Sequence, residues 1–154
     1  MTKHRVAVVS VALAVLIATQ HLSSNTVAAH DSIGRSNVVP SAEDLIAGHK
    51  QLIERAHAHG LRIYGATLTP FEGAAYFTAE GEAKRQAVNA FIRTGRAYDG
   101  VIDFDAAVRD PAAPSKIQQK FNPGDNLHMN DAGYQAMAAA IDLGLFKASG
   151  RSTR

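Results

Sequence analysis

The chain has 154 residues, 46% of them hydrophobic, and no cysteine. That is enough for one domain with a core of its own and too little for two, and it excludes disulfides, thiol chemistry and cysteine-based zinc sites. The formal charge is +2, but Lys3, Arg5, Lys147, Arg151 and Arg154 sit at the two ends, so removing those five leaves −3 for the middle; the pI of about 9.0 reflects the ends, and the basic face of a nucleic-acid binder is missing.

Lys3 and Arg5 precede an apolar run from Val6 to Ala18, and Val27, Ala28 and Ala29 offer small residues before His30. This is the pattern of a secretory signal over residues 1–29, which predicts a secreted or periplasmic protein. The run is shorter than the roughly 20 apolar residues that cross a bilayer as a stable helix, so no stable membrane span is expected. The alternative is a buried strand. The β-branched Val6, Val8, Val9 and Val11 suit a central parallel strand, and the protein would then be cytoplasmic. A domain over residues 30–146 follows, and 147–154 form a basic tail.

Within the domain, Pro40 to Asp44 opens a helix, with Ser41 as N-cap and Glu43 and Asp44 in the first turn. Leu45, Ile46, His49, Leu52, Ile53 and Ala56 recur at helical spacing on its inward face, and Gly60 ends it. Leu61 to Leu68 reads as a strand and Thr69 to Gly73 as the loop leaving it. A second helix runs from about Ala79 to Arg93, with Ala87, Val88, Phe91 and Ile92 inward. Val101 to Asp105 reads as a second strand, and a loop from Arg109 to Gly124 follows. Asn130 or Asp131 caps a last helix whose apolar stripe is Tyr134, Met137, Ala138 and Ile141.

Helix, strand, helix, strand, helix with short links predicts an α/β fold with parallel strands joined by right-handed crossovers. Ligands of such sheets sit beyond the carboxyl ends of the strands, where the loops after Leu68 and Asp105 emerge. Asp125 and His128 lie at the far end of the second loop. Pro123 and Gly124 fit the central positions of a type II turn that would stiffen it. An imidazole shuttles protons near neutral pH, and a carboxylate on its Nδ1 fixes the tautomer and stabilises the imidazolium, so the pair reads as a base and its orienter. The plainer reading makes both residues loop polar groups, with His128 bonding a backbone carbonyl.

The segment Asp125 to Tyr134 (DNLHMNDAGY) closely resembles the last block of the GDSL/SGNH hydrolases. The resemblance extends upstream through Pro40 to Leu45 (PSAEDL), His59 to Phe71 (HGLRIYGATLTPF) and Ile102 to Pro111 (IDFDAAVRDP), and covers roughly residues 30–144. It implies a three-layer α/β/α, flavodoxin-like fold and ester hydrolysis of the lipase, esterase or carbohydrate-deacetylase kind, acting on a small ester or acylated carbohydrate without cofactor or metal. It makes His128 the general base and Asp125 its orienter. The match is to the C-terminal portion of the family pattern. The family's Gly-Asp-Ser-Leu nucleophile block does not stand ahead of residue 30, so the sheet is expected to be incomplete on its N-terminal side. Where the family has Gly-x-Asn-Asp, this chain has Ala28 to Gly34 (AAHDSIG), with His30 in place of the oxyanion-hole Asn. Ser32 could be read as a displaced nucleophile, although too little chain separates it from Ser41 and no strand feeds into it.

Other readings compete. A non-catalytic ligand-binding or dimerising remnant would leave a sheet edge for a second copy to cover. Asp103 and Asp105 on one face of a strand could hold a cation, or simply be polar strand ends. His57 and His59, two apart on a helix, lack the i, i+4 spacing that grips a metal. Tyr64, Tyr76 and Phe71 could line a substrate cleft or pack in the core.

Overall fold

The computed structural model of the chain describes residues 39–147. The apolar run 6–18, the cleavage-like site before His30, and His30 and Ser32 themselves lie outside the described residues, as does most of the basic tail.

Helix α1 (Ala42–Ala58) begins as its sequence requires. Ser41 Oγ accepts from Asp44 N–H at 3.1 Å, and Asp44 Oδ2 accepts from Ser41 N–H at 3.0 Å. Each side chain satisfies a backbone donor that the first turn would otherwise leave open. At the other end Gly60 takes φ +66°, its N–H bonding the His57 carbonyl and that of Leu61 bonding Ala56, a Schellman closure. His49 and Ile53 are buried on the expected face, but Leu52 is 40% exposed.

The chain then forms β1 (Tyr64–Ala66), α2 (Ala79–Thr94) and β2 (Gly100–Ile102). The two strands pair in parallel, Tyr64 with Gly100 and Ala66 with Ile102. Both are shorter than their apolar runs predict. Beyond β1, Leu68 N–H donates to Asn89 Oδ1 at 2.7 Å, and the Leu68 carbonyl accepts from Asn89 Nδ2 at 2.8 Å and Arg85 at 2.9 Å. Side chains of α2 thus take the groups a neighbouring strand would use, and the ladder stops. Beyond β2, Asp103 leaves the strand to cap a short helix, α3 (Phe104–Val108), accepting from Ala106 N–H at 3.0 Å. Asp103 and Asp105 therefore belong to a helix start and not to one face of a strand.

The chain after α3 folds back on itself through an isolated antiparallel bridge, Arg109 with Ile117, and a 3₁₀ turn at Gln119–Phe121. It ends in α4 (Asp131–Ala139), capped by Asn130, whose Oδ1 accepts from Gly133 N–H at 3.0 Å. Val108, Ile117, Phe121 and Met129 form a core cluster against which Ala107, Ala136 and Met137 pack. Burial of each large apolar side chain contributes roughly 1.5–3 kcal/mol, so this cluster anchors the loop that carries Asp125 and His128. The buried face of α4 is turned by one residue from the expected stripe. Gly133 sits against Met129 and Phe121, where a Cβ would meet their Cβ atoms at 2.9 and 3.1 Å, while Tyr134 is 55% exposed. The closest approach is set by the absent side chain of Gly133 and not by the largest apolar one. Among the described residues no helix is long and apolar enough to cross a membrane.

Candidate active site

Asp125 and His128 meet. His128 Nδ1 lies 2.6 Å from Asp125 Oδ2, and Asp125 Oδ1 accepts from the backbone N–H groups of Leu127 at 2.9 Å and His128 at 3.0 Å. Three donors on one carboxylate, the imidazole first and the two amides next, pull Asp125 down to about 2. It is ionised at neutral pH and holds the Nδ1–H tautomer, which leaves the Nε2 lone pair to take a proton. Both side chains are about half exposed, open to an incoming group.

The loop holding them is closed by side chains. Asn122 Oδ1 accepts from Gly124 N–H at 2.8 Å and Asn126 N–H at 3.1 Å, so an Asx-type ring closes the turn around Pro123 and Gly124. Gly124 has φ +119° and Asn126 φ +59°. Asn126 Nδ2 reaches the carbonyl of Gly73, in the loop after β1, at 3.3 Å. That loop is joined in turn to the 109–124 segment, where Glu72 N–H donates to the Ser115 carbonyl at 2.9 Å and the Glu72 carboxylate accepts from Ser115 Oγ. The dyad therefore stands among the loops that leave the carboxyl ends of β1 and β2, where ligands of parallel sheets bind.

Beneath these loops lies a charged network absent from the apolar patterning. Asp105 is 1% exposed and accepts from Arg85 at 2.6 Å, Arg93 at 2.5 Å and Arg109 at 2.9 Å. Arg85, 4% exposed, also holds Glu82 at 2.7 Å through two nitrogens. Thr67 Oγ1 donates to Asp103 Oδ1 and accepts from Asp105 N–H, both at 2.9 Å. Burial alone would push Asp103 up, but the Arg93 guanidinium and the capped amide hold it at about 2. The cation reading of Asp103 and Asp105 is thus replaced by arginine, and the acids serve to join β1, α2 and α3. Arg85 and Asn89, at i, i+4 on the same side of α2 as Val88 and Ile92, were the only sequence signal: polar residues interrupting an apolar stripe.

The remaining candidates separate from the dyad. Tyr64 is buried, its hydroxyl donating to the Leu145 carbonyl at 2.5 Å and its ring edge-on to Phe146, so it is core and not cleft lining. Phe71 and Tyr76 stack at 5.9 Å in the half-buried loop after β1. His57 Nε2 lies 3.0 Å from Asp99 Oδ2, and His59 forms the exposed C-cap of α1. His49 is 3% exposed, its Nδ1 on the Tyr98 hydroxyl.

A family model described as the GDSL-like Lipase/Acylhydrolase family matches residues 17–136, a stretch that includes both members of the dyad. No curated protein matches the chain.

Proposed function

Because the chain belongs to the GDSL-like lipase/acylhydrolase family, with the three-layer α/β/α fold of that family, we propose that it is a serine ester hydrolase in which His128 is the general base and Asp125 its orienter. The observation that carries the reading is the 2.6 Å bond through Nδ1, with Asp125 Oδ1 fixed by two amides of the same loop. His128 Nε2 takes the proton of a serine hydroxyl as its oxygen attacks the ester carbonyl. The imidazolium, stabilised by Asp125, then protonates the departing alcohol. A water deprotonated by the same nitrogen attacks the acyl-enzyme and releases the acid and the serine. Ser32 is the nucleophile candidate of this sequence, and small esters or acylated carbohydrates are the proposed substrates. The signal-like N-terminus supports export.

A second reading, a non-catalytic ligand-binding or dimerising remnant of the fold, is favoured by the sheet. Among the described residues it has two strands, each paired on one side, and an open edge is a template for another chain.

Hydrolysis of phenyl acetate by the purified protein, beside His128→Ala and Ser32→Ala, separates the two. Activity lost in both variants supports the Ser32–His128–Asp125 hydrolase. Activity lost only with His128 places the nucleophile elsewhere. A parent that unfolds cooperatively, sediments as a dimer and hydrolyses nothing sinks the hydrolase reading in favour of the second.

A further inference from the structure

The hydrogen bonds that close the dyad are all local, yet the backbone between its two members is not self-supporting. Asn126 stands between Asp125 and His128 at φ +59°, a left-handed conformation that costs a non-glycine residue free energy unless its surroundings hold it there. It is also the conformation in which the chain doubles back so that the next two amides face Asp125 Oδ1. Two partners reach the Asn126 side chain from opposite directions. Its Oδ1 accepts from Asn122 Nδ2 at 2.7 Å, and its Nδ2 donates to the Gly73 carbonyl at 3.3 Å. The Gly73 side of the bridge leaves no slack: Gly73 has φ +100°, and a Cβ there would lie 2.9 Å from Asn126 Cγ.

We propose that Asn126 is a positioning residue for the dyad: strung between Asn122 and the loop after β1, its side chain holds the left-handed turn that aims Leu127 and His128 amides at Asp125, and so couples the Gly73 loop to the general base. The inference rests on the hydrolase reading for its catalytic consequence and on geometry alone for the coupling. Asn126 touches no reacting atom. It acts through the ring that it closes, and a change at Gly73, far away in sequence, reaches His128 by way of it.

The test uses Asn126→Gly, which tolerates the same φ but loses both side-chain bonds; Gly73→Ala, whose methyl presses on the Asn126 side chain and disturbs the tether without changing residues 122–128; and the double variant. In each, the Asp125 carboxyl is titrated by ¹³C NMR, cooperative unfolding is confirmed, and phenyl acetate hydrolysis is resolved into kcat and KM. In Asn126→Gly the Asp125 midpoint rises from about 2 towards the ordinary 3.8, and kcat falls on the order of 10- to 100-fold with KM unchanged, as a misplaced base requires. Gly73→Ala gives the same change more weakly, and adding it to Asn126→Gly changes nothing further, because its effect travels through the missing side chain. An Asp125 midpoint at its parental value in folded Asn126→Gly overturns the proposal, and so do Gly73 and Asn126 effects that simply add. A parent without esterase activity defeats the hydrolase reading alone, since the Asp125 titration still decides the coupling.

Discussion

His128 meets Asp125 among the loops beyond the carboxyl ends of the strands, and His57 meets Asp99 ahead of their amino ends, so the same two residue types are paired at both ends of one small sheet. The first pair bonds through Nδ1 at 2.6 Å, the second through Nε2 at 3.0 Å. An imidazole held by Nδ1 presents Nε2, the nitrogen farthest from its own backbone, to a substrate. One held by Nε2 keeps only the nitrogen beside its Cβ. Asp99 is occupied differently too: the oxygen facing His57 also accepts from Ile63 N–H at 2.8 Å, whereas Asp125 divides its two oxygens between amides and imidazole. The amino-end pair is a strut tying α1 to the start of β1, and the carboxyl-end pair has the geometry of the proposed base and its orienter. Which nitrogen is engaged, and where the pair sits on the sheet, decides which of the two is available for the proposed chemistry.

The sharpest contrast is in rate. His128→Ala is expected to lower ester hydrolysis on the order of 10⁴-fold or more, and His57→Ala to leave kcat/KM unchanged; comparable losses in the two variants would erase the distinction. Next comes the frame beneath the carboxyl end. Arg85→Met removes one of three guanidinium partners of an almost wholly buried Asp105, and urea unfolding should register a loss of about 3 kcal/mol. A loss of only a few tenths would mean that Arg93 and Arg109 suffice. Asp99→Ala, which frees Ile63 N–H and His57 together, is expected to cost about 1 kcal/mol of stability with no change in rate.

The smallest effects are in pH. Burial lowers the pKa of His49 from 6.5, so the folded protein resists a proton that the unfolded chain accepts. Stability therefore declines as pH falls below about 6.5, and His49→Gln should flatten that slope between about pH 7 and pH 5 in urea titrations. An unchanged slope would assign the acid sensitivity to another group. Asp103, held at about 2, contributes in the same sense at lower pH. Its stabilisation is complete above the ordinary 3.8 and is lost as pH falls through about 2, and Asp103→Asn should remove that acid limb.

The reason the dyad was legible in the sequence, and His57–Asp99 was not, is distance along the chain. Asp125 and His128 are three apart, and a turn motif between them suffices to bring them together. His57 and Asp99 are 42 apart, joined only because α1 and β2 both begin or end at the same side of the sheet. The caps at Ser41 and Asn130 were legible for the same local reason. The strand lengths were not, because Leu68 loses its ladder partner to Asn89 and Arg85 on α2, and Asp103 is drawn out of its strand to cap α3. Helical spacing located α4 but not the face it buries, since the stripes 133, 136, 137, 140 and 134, 137, 138, 141 have the same period and only the neighbouring core chooses between them.

By itself, then, the sequence determined what hydrogen bonds over three or four residues can enforce: the helix starts, a turn at Pro123 and Gly124, and a histidine facing an aspartate beyond it. Tertiary structure alone decided the two α2 arginines on Asp105, the side of α4 that is buried, and the Asn126–Gly73 bridge, because the arginine and asparagine contacts join groups 12 to 53 residues apart, and all three depend on how β1, α2 and the loops beyond β2 pack.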